Sequence, residues 1–549
     1  MTGNRRRLAT LFALIGALLA LAVGLGIGGT LIYRAYSQNN SNETAEDDNT
    51  PKKPRFTISK ETTYFTGPVD KDGYIDYEAA INERLGKGIK PETNAAVLLV
   101  KAFGPIHYGL RMPARFYKML GIAEPPEKGD YFIDPSRYVK ETLKLEGNKA
   151  EDEFENELKL AGKRVWTAEQ HPRVAAWLKA NEKSLASAIE ATRRKDYFMP
   201  IITSREDENH GDLLGTDLDF PQEFRHLGWA LAARAVLRIG KNECDGAWQD
   251  LLACHRLARL AARGPSEIES IVGWATEQIA IEADLAFVDS SKLDAIQFKK
   301  CLSDLQALPP MPDFTNTADL FCRCEFLDTV MWTNRLGLWY LEQLGATTLS
   351  KPPSELQERF QKHALDDADF DPALRAGNHW YDRIVAAMRQ KDRKQRAKQL
   401  SDIEADFKSL KKAIVEGGFV KVLGNPKQQG ELVGDLVAGL ILQAFIRWPE
   451  LLDRGMQSQR NLQIAFALAA YQRDNGKYPP LLAALVPKYL AKIPDDLFTE
   501  KPLIYRPTEN GYLFYSLGPN GQDDAGRGPA DDPKGDDISV RMPLPKLKE

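Results

Sequence analysis

Apolar residues recur at three- and four-residue spacing through most of this chain, the period of helices with one buried face. The pattern predicts helices over 77–85 and 94–103, broken by Gly86, Gly88 and Pro91 and stopped by Gly104-Pro105. A single helix is expected over 172–194, with Pro172 in its first turn. The densest block spans 222–240, 245–263 and 266–288. Gly240-Lys241 and Gly264-Pro265 end the first two helices, and Ser266 with Glu269 forms a capping box for the third. Further helices are expected over 301–308, 317–344, 353–364 and 379–414. The stretch 431–448 carries a broad apolar stripe at the lower length limit of a membrane span. Glu431, Asp435 and Arg447 within it favour a buried helix of a soluble region. The β-branched and aromatic residues of 57–75 leave that segment ambiguous.

The period changes near the C-terminus. Positions 454–474 read as a long helix ended by Asn475-Gly476, and 481–489 as a short second one. Alternation then predicts strands over 503–506 and 512–516, joined through Asn510-Gly511, and a third over 538–541. The fold class expected is mainly α: a large irregular helical region followed by a small α+β unit, a long helix on a three-stranded antiparallel sheet.

At the other end, 8–33 contains no charged residue and is long enough to cross a ~30 Å hydrocarbon core. Arg5, Arg6 and Arg7 precede it, and acidic residues follow from Glu43, so positive-inside logic puts the N-terminus in the cytoplasm. The run exceeds the ~7–15 apolar residues of a cleaved signal, which favours a retained anchor. Gly16, Ala20, Gly24 and Gly28 form a small-residue ridge through which two anchors can pack as a homodimer. The expected layout is an anchor (1–36), a polar disordered tether (37–55), a helical ectodomain (56–450) and the α+β unit (451–549), all after the anchor outside the cytoplasm.

Composition adds little. A formal charge of −4 over 549 residues gives no sign of a nucleic-acid partner, and the basic stretch 389–398 is followed by acids without interleaved aromatics. Five cysteines are too few for a disulfide framework, and Cys322 and Cys324 lack a second pair at metal spacing. None of the seven histidines lies three to five residues from another. His226 and His255 are read as packing or surface residues. No familiar catalytic motif appears. The best catalytic candidate is the loop 204–212, where Glu206, Asp207, His210 and Asp212 offer acid/base or metal-binding groups.

The region from Gly518 to Asp537 holds six aspartates among glycines and prolines and almost nothing apolar. Such carboxylates repel one another, and a calcium ion with its six to eight oxygen ligands would neutralise them. The runs Asp474-Asn-Gly-Lys-Tyr-Pro479, Pro502-Leu-Ile-Tyr505, Tyr515-Ser-Leu-Gly-Pro-Asn-Gly521 and Asp536-Asp-Ile538 resemble the globular end of major pseudopilins of the type II secretion system. The resemblance implies calcium held by the Leu517 carbonyl, Asn520, Asp536 and Asp537. Asn520 stands where that family has aspartate, and the loop 521–536 is longer than the family's, so Asp523, Asp524, Asp531 or Asp532 are substitute ligands. The segment 8–33 lacks the glutamate that pseudopilins carry at the fifth mature position. The whole layout, with Asn82-Glu-Arg-Leu-Gly-Lys-Gly88, Asn94-Ala-Ala-Val97 and Gly104-Pro105, resembles planctomycete-type membrane-anchored envelope proteins, a resemblance that implies no reaction. The resulting expectation is a non-enzymatic, anchored scaffold protein with a calcium-binding C-terminal unit. An exported hydrolase using the 204–212 loop and a divergent pseudopilin are the alternatives.

Overall fold

A computed structural model describes residues 52–107, 110–204, 211–216, 219–344, 364–422, 425–442 and 448–547. The apolar segment 8–33 with its Gly16–Gly28 ridge, Glu206, Asp207 and His210, and all but the last residue of the helix expected over 353–364 lie outside them. Among the described residues no helix is long and apolar enough to cross a membrane.

The chain is mainly helical and ends in a small three-stranded antiparallel sheet. The first helices are α1 (Tyr77–Gly86), α2 (Ala95–Phe103), α3 (Ala114–Leu120), α4 (Asn148–Ala161), α5 (Pro172–Ala180) and α6 (Glu182–Ala191). Local chemistry sets their ends. Asp76 and Asn94 cap α1 and α2 by accepting from Ala79 and Ala96 N–H, and Gly104 takes the left-handed side at φ 85° to stop α2. Between α2 and α3 runs a short ribbon, β1 (Ile106–His107) with β2 (Leu110–Arg111).

The helix expected over 172–194 is divided. Asn181, fully buried, ends α5 and precedes α6. Its side chain holds the main chain of Ile133, accepting from the N–H at 2.7 Å and donating to the carbonyl at 3.1 Å. A distant backbone segment thus claims the amide at the point where the periodicity alone would continue the helix. Helix α4 escapes the periodicity reading because only Phe154, Leu158 and Ala161 of its fourteen residues are buried. The 57–75 segment forms turns with one isolated bridge, Val69 to Ile75.

The centre of the molecule is α7 (Asp219–Gly240), α8 (Cys244–Ala261) and α9 (Glu267–Ser290), which pack on one another pairwise. The Ser266–Glu269 capping box forms as expected. Gly273 lets α9 close on α8, since a Cβ there would meet the Ala262 side chain and backbone. Helix α10 (Ala295–Gln306) follows. A second lobe holds α11 (Arg323–Leu336), α12 (Leu338–Gln343), α13 (Asp371–Met388), α14 (Arg393–Val422) and α15 (Pro426–Ile441). The single helix expected over 317–344 is interrupted by a π-turn at Ala318–Cys322 and by Gly337 at φ 75°. The helix expected over 379–414 is two, α13 and α14, separated near Gln390.

Helix α16 (Trp448–Asn475) joins both parts of the chain. One side carries the sheet of β3 (Ile504–Pro507), β4 (Tyr512–Ser516) and β5 (Ile538–Met542), in the order β3-β4-β5. The other packs on α9 and α10. Phe466 of α16 lies 5.5 Å from Trp248, 6.4 Å from Phe287 and 6.2 Å from Phe298, ring centre to ring centre. These rings belong to α8, α9 and α10, so α16 is a core helix of the bundle as well as the base of the sheet. The 481–489 stretch contains a 3-10 turn at Leu482–Leu485.

Candidate functional site

Three polar groupings inside this frame have the chemistry to do something, and they differ in access. The first surrounds the described ends of the 204–212 loop. Glu78 of α1 accepts from the Thr203 N–H (2.8 Å) and hydroxyl (2.6 Å) and pairs with Arg115 Nε at 3.1 Å. The Thr203 hydroxyl in turn receives the Gly211 N–H at 2.9 Å. Asp212 caps the turn Leu213–Gly215, accepting from Gly215 N–H, and the Leu213 N–H reaches Asp328 Oδ2 at 2.8 Å. The loop is therefore pinned at both ends to α1 and α11.

Asp212 and Asp328 are joined there by Glu325, one turn before Asp328 on α11, and by Glu267 at the start of α9. Burial pushes the carboxyls of Glu325 and Asp328 well up, and the neighbouring acids push them further. Asp212 and Glu267 are raised by burial as well. Cys322 Sγ stands 3.8 Å from Glu267 Oε2. The Tyr340 hydroxyl, almost fully buried, lies beside Asp212 without a completed hydrogen bond. A carboxyl raised by burial favours its protonated form, the state that general acids require. Of the loop residues singled out from sequence, Asp212 is the one placed here. Glu206, Asp207 and His210 lie outside the described residues. Glu325, Asp328 and Glu267 were not picked out from sequence, because nothing in their local spacing separates them from solvated helix charges.

The second grouping is closed to solvent. His255 of α8 lies between two carboxylates of α9, with Nδ1 2.9 Å from Glu277 and Nε2 2.6 Å from Asp284. Arg259 reaches Glu277 at 2.9 Å, and Gln459 of α16 donates to its other oxygen at 2.6 Å. Burial alone would depress the imidazolium. The charges and hydrogen bonds of Glu277 and Asp284 outweigh it and hold His255 at about 9. Burial likewise opposes ionisation of Glu277, and His255 with Arg259 overcomes it, holding Glu277 at about 2. Asp284 is raised by burial, and its Oδ1 has no partner. With all four side chains 8% exposed or less, this is an internal electrostatic latch between α8, α9 and α16. Of the two placements read from sequence, packing or surface, His255 takes the first, between two acids.

The third grouping is the Asp-rich loop between β4 and β5. Asp496, buried, anchors its entrance by accepting from the Ser516 hydroxyl and from Leu517 N–H at 2.8 Å. Gly518 turns the chain at φ 65° against the Asp536 carbonyl, where a Cβ would clash. Asp536 Oδ2 accepts from Asn520 N–H at 3.0 Å, and its Oδ1 is bonded to the Arg454 guanidinium of α16. Asp537 Oδ2 accepts from Gly526 N–H at 2.7 Å, while Oδ1 has no partner although the residue is 2% exposed. Burial, with Asp524 and Asp523 close by, pushes the Asp537 carboxyl up. The exposed Asn520 side chain accepts from Gln522 N–H, and Asp524 Oδ2 accepts from Asp536 N–H.

The residues expected to hold calcium, Leu517, Asn520, Asp536 and Asp537, thus come together in one turn of structure. Their fit to a cation is uneven. Asp537 offers a bare buried oxygen, whereas Asp536 already faces an arginine. Among the described residues no group of three or more His, Cys, Asp or Glu side chains could hold a metal ion, so an ion here would depend on the Leu517 carbonyl and the Asn520 amide. All five cysteines are free thiols.

Compared with protein-family models, with curated proteins and with solved structures, the chain shows no match.

Proposed function

We propose that this chain is a single-pass, membrane-anchored cell-envelope protein whose helical body serves as a non-enzymatic binding scaffold and whose C-terminal unit holds calcium. The uncharged run 8–33, with its arginines on one flank, supports the anchor and an extracytoplasmic body. The pseudopilin-like motifs support the calcium site and the same location. The observation that carries the reading is the double use of α16. Because Phe466 is buried among Trp248, Phe287 and Phe298, the sheet and its loop close the end of the helical body as part of one core. A rigid, closed body on a tether suits display of a surface to partners.

Two measurements test it. Fusing a periplasm-dependent reporter to the C-terminus should give activity, and a cytoplasm-dependent one should not; the reverse pattern refutes the topology. Melting the full-length protein in detergent with millimolar calcium and with chelator should separate the two curves through ligand linkage. Superimposable curves refute the calcium assignment.

A second reading, an exported hydrolase, is favoured by one observation. Asp212 is pinned beside Glu325 and Asp328, whose carboxyls burial pushes well up, with the Tyr340 hydroxyl alongside. It requires hydrolysis of an envelope polymer or peptide by the wild-type protein and its loss in Glu325→Gln. Equal activity in the two proteins would remove it.

A further inference from the structure

The chain carries a net charge of −4, yet basic groups gather where α6 and α8 end side by side. Helix α6 stops at Ala191 and the chain continues into Arg193-Arg194-Lys195, while α8 stops at Ala261, two residues before Arg263. The Arg263 guanidinium donates to the Lys195 carbonyl at 3.2 Å, so the turn after α6 lies along the end of α8. Arg256 stands seven residues before Arg263, two turns back on the same side of α8 and about 10 Å away along its axis.

Most of these cations have a local cause. Arg193 and Arg263 follow helix C-termini, where positive charge complements the free carbonyls. Arg194 donates to the Pro91 and Asn94 carbonyls at 3.0 and 2.9 Å. Arg256 has no such explanation. It lies within α8, half-buried, and among the described residues it makes no hydrogen bond and no ion pair. Burial and the nearby charge of Arg193 push its guanidinium below the usual range, with Asp304 opposing them. The acids in reach are already engaged. Asp304 of α10 accepts through Oδ2 from the Trp248 indole at 3.0 Å and from Lys300 at 2.7 Å, and Glu190 pairs with Arg193 at 3.1 Å. A guanidinium drawn partly out of water and set near a second one is unfavourable until an anion joins them.

We propose that Arg256, flanked by Arg193 and Arg263, binds a phosphate monoester group. Each guanidinium offers a planar fork of N–H donors that matches two phosphate oxygens, and a dianion offsets the repulsion between Arg193 and Arg256. Lys195 adds positive charge at the rim. The site gives the helical body a binding chemistry of its own, whether or not the C-terminal unit holds calcium.

The test titrates the full-length protein in detergent with glycerol 3-phosphate by calorimetry, at constant ionic strength. Wild type should bind saturably, and Arg256→Gln should weaken binding about tenfold or more, as loss of a hydrogen bond to a charged group does. Arg256→Lys should recover only part of the affinity, because lysine lacks the fork. Since Arg256 holds no protein group, Arg256→Gln should melt within about 2 °C of wild type. Should that variant fail to fold, Arg193→Gln, at an exposed position after α6, carries the same expectation of weakened binding. Repeating the titration with dihexanoyl phosphatidic acid separates two sources of the group: affinity about tenfold above that of glycerol 3-phosphate assigns it to a lipid head, and equal affinity to a soluble ester. Equal affinity in wild type and Arg256→Gln, heat that sodium chloride reproduces, or no binding of either ligand by wild type overturns the proposal.

Discussion

Replacing His255 with leucine is the sharpest probe of what holds the bundle together. The imidazolium is bonded at 2.9 Å to Glu277 and at 2.6 Å to Asp284, both buried. Together with Arg259, two positive and two negative groups cancel inside the core. His255→Leu leaves one net negative charge there. Glu277 keeps Arg259 and Gln459, so the loss concentrates on Asp284, whose other oxygen is already bare. Removing one partner of a buried pair costs about 3–5 kcal/mol, and His255→Leu should fall in that range. Replacing both partners with apolar groups should restore much of it, so His255→Leu with Asp284→Leu should be more stable than the sum of the two singles predicts, with a coupling of about 2–3 kcal/mol.

The pH dependence follows with a definite sign. His255 sits at about 9 folded, above its usual 6.5, so its contribution is complete below about 6.5 and fades as pH rises through 9. A displacement of that size corresponds to about 3 kcal/mol. Glu277, held at about 2, contributes above about 4.5 and loses its contribution as pH falls toward 2. The contributions of His255 and Glu277 are both complete between about pH 4.5 and 6.5. Urea denaturation of wild type and the three variants, followed by tryptophan fluorescence at pH 3, pH 6 and pH 9, measures all of this. A His255→Leu cost below about 1 kcal/mol at pH 6, or strict additivity in the double variant, would refute the reasoning.

Three other changes test the packing directly. Phe466→Ala should cost about 3–5 kcal/mol and loosen the sheet together with α8–α10, read by hydrogen exchange at β4 and β5; a loss confined to the sheet would show that α16 is not shared. Gly455→Ala places a methyl against the face of Trp274, since a Cβ there would overlap the ring, and should lower stability by about 1–3 kcal/mol in thermal melts. Asn181→Ala removes both bonds to Ile133 and leaves its half-buried N–H without that partner, while the carbonyl keeps the Trp177 indole N–H, a loss of about 1–2 kcal/mol by denaturant titration.

The elements that were legible in the chain are those fixed by neighbours within a few residues. The capping box at Ser266 and Glu269, the glycine stop at Gly104 and the hairpin through Asn510-Gly511 all depend on hydrogen bonds and backbone angles set locally. Hydrophobic period placed α7, α8, α9 and the three C-terminal strands to within about three residues, and the end of α16, which starts at Trp448, before the expected 454. Period failed where a remote group intervened. Asn181 divides a helix because Ile133, 48 residues away, takes its amide. The acids Glu325 and Asp328 look like surface charges until α9, α12 and the Asp212 turn enclose them.

Sequence alone determined the helical character, the C-terminal sheet and the gathering of aspartates after Leu517, because each is written in composition and spacing. Only the tertiary structure decided which charges meet. His255 faces Glu277 and Asp284 because α8 and α9 pack side by side, and Arg454 faces Asp536 because β5 and the loop before it fold back on α16. Pairings of that kind join residues 22 to 82 positions apart. Their energies depend on burial and on distances of a few ångströms, quantities that exist only once the chain has packed.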